Sequence, residues 1–141
     1  MSKFRNLHML SLMVFVLVLL AATVFPPIFN GWAVSRNIVL VKKIIPAAQA
    51  SMPNMDLPDA IDLSFYMDEN QIVLSKVGGR VPVILAAEFS TGQLDPVQEK
   101  ERQTGDLVLY SDGRIAKLWY FNHKNLMVPV EMPETLVASS N

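Results

Sequence analysis

The chain has 141 residues, 51% of them hydrophobic, with 12 Lys or Arg against 13 Asp or Glu and no Cys. That length holds one small domain with additions, not two full domains. The balanced charge offers no basic stripe to displace counterions from nucleic acid, and the lack of Cys excludes disulfide scaffolds, cysteine nucleophiles and thiolate metal sites. Mean hydropathy is +0.30, and the excess is concentrated near the N-terminus.

Residues 1–8 form a short basic tail carrying Lys3 and Arg5. Met9 to Phe29 then runs without an ionisable group, with Ser11 and Thr23 as its only polar side chains. As a helix this stretch is about 30 Å long, the hydrocarbon thickness of a bilayer. About a dozen Leu, Val, Phe and Ile give an insertion free energy on the order of −5 kcal/mol. Pro26-Pro27 is expected to end or kink the helix near one interface, and Trp32 just beyond suits an interfacial indole. The competing reading is a cleaved signal peptide, with Ala21-Ala22-Thr23 or Ala48-Gln49-Ala50 as the cleavage site. The apolar run exceeds the usual signal core, and the second site is too far from it, so a retained anchor is expected. The basic head before the span predicts the N-terminus inside and the C-terminal part outside, on the outer or periplasmic side.

Residues 30–58 read as a membrane-proximal linker. Within it Asn37 to Ile45 is either a strand or an interfacial helix whose Lys42 and Lys43 snorkel to headgroups. Pro46, Pro53 and Pro58 suggest extended chain around them.

A β-rich exported domain is expected over residues 59–137. Ile61, Leu63, Phe65 and Met67 alternate as on a strand, Asp68-Glu69-Asn70 turns, Gln71 to Lys76 returns, and Val81 to Leu85 forms a third strand after Gly78-Gly79. Asp95-Pro96 is an N-cap followed by a first-turn proline, leading into a short polar helix over Val97 to Arg102. Asp112-Gly113 between two β-rich runs predicts a two-residue type I′ hairpin, with Ser111 opposite Arg114, Tyr110 opposite Ile115 and Leu109 opposite Ala116. Asn122 to Asn125 turns the chain into Leu126 to Val130, kept at an edge by Pro129. Residues 138–141 are expected to fray.

Little chemistry is visible. Gly78-Gly79 lacks the Lys-Ser/Thr of a phosphate loop. His8 and His123 stand apart from other metal ligands. Asp56, Asp59 and Asp62 lack the bidentate Glu of a calcium loop. Trp119-Tyr120-Phe121 is the densest aromatic feature, and on a strand its members point to opposite faces.

Leu17 to Leu20 through Val24-Phe25-Pro26, the segment Met55-Asp56-Leu57-Pro58-Asp59-Ala60 and the stretch Leu63 to Val73 resemble, in short pieces over about half of the chain, the biopolymer-transport (ExbD/TolR-type) family. The resemblance implies one span, a linker, a small periplasmic α+β domain and a coupling role in a proton-driven membrane complex. The family's membrane-embedded Asp has no counterpart between Met9 and Phe29, which leaves the span without a group to protonate.

The sequence therefore predicts a single N-terminal transmembrane helix followed by a small β-rich α+β domain, with antiparallel hairpins and one short helix. The expected role is a non-catalytic structural or accessory subunit. Its partners would be the bilayer and other membrane-protein subunits, a second copy included, with no nucleic acid, cofactor, metal or small-molecule substrate. Trp32, Lys42, Lys43, Trp119, Tyr120 and Phe121 are the candidate partner or membrane-interface contacts. A coupling subunit and a secreted binding domain released by leader removal are the alternatives.

Overall fold

The computed structural model describes residues 2–133, with the backbone alone at 2, 4 and 24–28. The frayed tail expected from Ala138, and the end of the domain at 137, lie outside the described residues.

One helix dominates. Helix α1 runs unbroken from Ser2 to Ser51. The expected break at Pro26-Pro27 does not occur, and the expected linker over 30–58 is helical as far as Ser51. Proline already holds φ near the helical value, so its cost inside a helix is the missing N–H bond and ring crowding. A second stabilising force meets that cost here. From Ala33 onward the helix buries a stripe made of Ala33, Asn37, Val41, Ile44, Ile45 and Ala48. These positions recur at three- and four-residue steps and share one helix face.

The stripe faces the rest of the chain. A connector over 52–59 reverses direction, and helix α2 spans Ala60–Glu69. Asp59 caps it: its carboxylate accepts the Asp62 N–H at 2.8 Å. This helix replaces the strand that the alternation of Ile61, Leu63, Phe65 and Met67 predicts. Seven residues suit either period, and the cap selects the helix. Ala60, Leu63 and Met67 turn inward and Ile61 and Phe65 outward.

Four strands follow: β1 (Ile84–Ala86), β2 (Leu107–Ser111), β3 (Ala116–Phe121) and β4 (Met127–Val130). They lie in the order β1-β2-β3-β4, with β1 parallel to β2 and the other pairs antiparallel. The fold is α+β, and β2-β3-β4 form the expected antiparallel meander; β1 joins in parallel, so the sheet is mixed, and the domain is less β-rich than expected, α1 alone being longer than all four strands together. Gln71 to Lys76, expected as a strand, docks on α1 instead, and the only bridge there is Val77 with Arg80. The crossover from β1 to β2 carries helix α3 (Pro96–Glu101). As expected, Asp95 caps it, accepting the Gln98 N–H at 2.7 Å. Pro129 lies on β4, an edge strand, also as expected.

The β2–β3 connection is a hairpin with a longer loop than predicted. Ser111 pairs with Ala116, Tyr110 with Lys117 and Leu109 with Leu118. The Asp112 carboxylate accepts the N–H groups of Arg114 and Ile115, at 2.9 and 2.8 Å, and so draws both residues out of the ladder. The partner shifts by two positions, which keeps every side chain on its expected face. Gly113 adopts φ +88° in this loop, a conformation glycine takes without a Cβ penalty.

The main core lies between α1, α2 and one sheet face, where Leu107, Leu109, Ala116 and Leu118 meet Val41, Ile45 and Leu63. A smaller cluster of Leu94, Val108 and Phe121 fills the other face beneath the crossover, with Trp119 and Met127 at its margin.

Candidate membrane-contact site

The two halves of α1 have opposite surroundings. Arg5–Thr23 has a mean hydropathy of 2.1 and none of it is buried. It is long and apolar enough to cross a membrane or to act as a signal sequence. The Thr23 hydroxyl donates to the Leu19 carbonyl at 3.0 Å, so its polarity is satisfied within the helix. The second half, from Ala33, belongs to the core of the folded domain.

Where the halves meet, polar and aromatic groups gather. Trp32 is 59% exposed, and the Arg36 guanidinium lies over its ring, 5.3 Å from the centroid. On the domain side the Asn30 carboxamide oxygen accepts the Gly78 N–H at 3.0 Å. A cleft of about 630 Å³ opens beside it, lined by Asn30, Val34, Ser35, Thr104, Tyr120 and His123 among others. An adjoining recess takes in Gly78, Arg102, Gln103 and Asn125. Among the described residues no carboxylate lines either.

Two buried polar anchors hold this end of the domain. Asn37 is 1% exposed; its amide donates to the Ser75 carbonyl at 2.9 Å and accepts the Ser75 N–H at 2.7 Å. Asn30 and Asn37 thus clamp the 75–78 segment along α1. Asp106, also 1% exposed, accepts from Arg80 Nη2 at 2.6 Å and from the N–H groups of Val83 at 3.1 Å and Gln103 at 2.9 Å. That carboxylate ties the chain at Arg80 to Val83 and at Gln103 to the start of β2. Arg102 pairs with Glu99 and lies 5.0 Å from the Phe121 ring centroid.

The candidate contacts from the sequence are not gathered in one place. Trp32 is exposed at the junction. Lys42 and Lys43 lie roughly 20 Å further along the helix axis than Phe29, at the level of the core, so they do not share that junction. Phe121 is fully buried and is core, not surface. Trp119 is half-buried on the same sheet face, and Tyr120, on the opposite face, lines the cleft. Asn30, Asn37, Asp106 and Thr104 were not singled out from sequence. A second feature also went unseen: Ile61 and Phe65 are 75% and 62% exposed on the outer face of α2. They border a cleft against Ile84, Ala86 and Gln98. Among the described residues no group of three or more His, Asp or Glu is placed to hold a metal ion.

No protein-family model, no curated protein and no solved structure matches this chain.

Proposed function

We propose that the protein is a single-pass, membrane-anchored, non-catalytic accessory subunit that holds a small α+β domain at a fixed height and angle above the bilayer. The observation that carries this reading is the continuity of α1: its bare apolar half and its core-forming half are one helix. Apolar surface of that extent demands an apolar environment. Removing the leader at Ala48-Gln49-Ala50 would take Val41, Ile44 and Ile45 out of the core, which argues against that cleavage. The exposed pair Ile61 and Phe65 supplies an apolar surface for a protein partner. The coupling alternative has less support, since Arg5–Thr23 contains no carboxylate to carry a proton.

Carbonate extraction, N-terminal sequencing of the mature chain and protease protection test the reading together. Full-length protein should stay with the membrane fraction, with its C-terminal domain accessible from the outer side. Leu17→Arg, which costs about 3 kcal/mol at a span centre, should shift protein to the soluble fraction. A mature chain starting beyond Thr23, or free extraction of the wild type, overturns the anchor. Co-purification of ion-conducting subunits in mild detergent would favour the coupling role instead.

A further inference from the structure

We propose that the end of the domain nearest the span is a binding surface for the anionic phospholipid headgroups of the bilayer that α1 crosses. The inference rests on the anchor reading above and adds a lipid specificity to it.

The first argument is position. Asn30 directly follows the apolar run, and its side chain holds the Gly78 N–H. His123 and Asn125 line the same recess as Asn30 and Gly78. Because α1 is unbroken, these loops stand at the height of Asn30, with no connector to lift them away. With Met9 to Phe29 filling the hydrocarbon, Asn30 sits at its edge; with Arg5–Thr23 filling it, Asn30 is about 10 Å further out. Either height lies within about one screening length of the charged surface at ordinary salt.

The second argument is charge. Lys76 and Lys124 are exposed on the two loops and, among the described residues, neither forms an ion pair. Glu99 is engaged by Arg102 and Asp106 by Arg80. The recess offers Thr104 and His123 as further polar partners and no carboxylate. Such a rim attracts phosphate oxygens and leaves a zwitterionic surface less favoured.

The test uses full-length protein in lipid nanodiscs of phosphatidylcholine alone or with about one third phosphatidylglycerol, and reads amide exchange at 76–80 and 122–126. Exchange should slow about fivefold in the anionic discs, the effect expected of roughly one lysine near such a surface. The slowing should vanish at 1 M NaCl and in the double variant Lys76→Glu/Lys124→Glu, whose two sites are exposed. Equal exchange in both disc types, with protein fully incorporated, overturns the headgroup surface and leaves the anchor standing. Failure to incorporate into either disc overturns both. Protection that persists at 1 M NaCl also overturns it, pointing to protein contact instead.

Discussion

The side-chain amide of Asn37 and the backbone of Ser75 form a two-way hydrogen-bonded pair, at 2.9 and 2.7 Å, between residues 38 apart in sequence. A carboxamide on a helix here does what a neighbouring strand does in a sheet. It satisfies both the donor and the acceptor of a segment that lacks a strand partner. The same pair ties the segment before Val77 to the core-forming half of α1.

Asn37→Ala should therefore destabilise the domain by about 1–3 kcal/mol, because both Ser75 groups lose their partner in a buried place. Asn37→Asp should be no better than Ala, since a carboxylate cannot donate to the Ser75 carbonyl and brings a charge into the core. Denaturant unfolding of the full chain in detergent, followed by tryptophan fluorescence, gives the difference. A value near zero for Ala would show that the clamp adds nothing to stability.

Asp106 sets a second expectation. Three donors converge on a carboxylate that is almost wholly enclosed, two of them backbone N–H groups. Asp106→Ala should cost about 2–4 kcal/mol, because the buried N–H groups of Val83 and Gln103 lose their acceptor. Arg80→Ala should cost less if the backbone donors are the main support of the charge, and equally if the ion pair is. Thermal unfolding of the two variants side by side separates the cases.

The hairpin loop gives a pH expectation. The N–H bonds from Ile115 and then Arg114 hold the Asp112 carboxyl below the usual aspartate range. A carboxylate lowered in the folded state contributes stability at pH values above its unfolded pKa of about 4 and loses it as pH falls through the folded value. The group is fully exposed, so the effect is small. Asp112→Asn should slightly speed hairpin amide exchange at pH 7, where the carboxylate is charged, and should remove its extra acid sensitivity below about pH 4. Identical acid profiles for the two proteins would remove Asp112 as the cause.

Features encoded by adjacent residues were legible in the sequence. Asp95-Pro96 opens a helix, Asp112-Gly113 turns a hairpin, Pro129 lies on an edge strand, and the apolar stretch before Thr23 stands unburied. The longer loop after Ser111 was missed because the Asp112 side chain, not the backbone dipeptide alone, decides the register. The helical extension from Asn30 to Ser51 was missed for a different reason. Pro26, Pro27 and Pro46 are local signals for breaks, and polar Asn37 interrupts the apolar stripe that outweighs them. Asn37 becomes intelligible only with Ser75 beside it, and Asp106 only with Arg80 and Val83. Such contacts between distant positions leave no mark in residue spacing. The recess joins Asn30, Gly78 and His123 from three separate segments, so it was equally hidden.

An uninterrupted helical shaft has a mechanical corollary. Each residue of an α-helix advances about 1.5 Å and rotates about 100°. Lengthening the chain by one residue between Thr23 and Asn30 would swing Ile61 and Phe65 through more than a quarter revolution around the shaft, whereas adding seven residues, close to two turns, would bring them back to within about 20° of their bearing and raise them by about 10 Å. The protein thus acts like an indexed post, on which residue count sets the direction its outer surface faces.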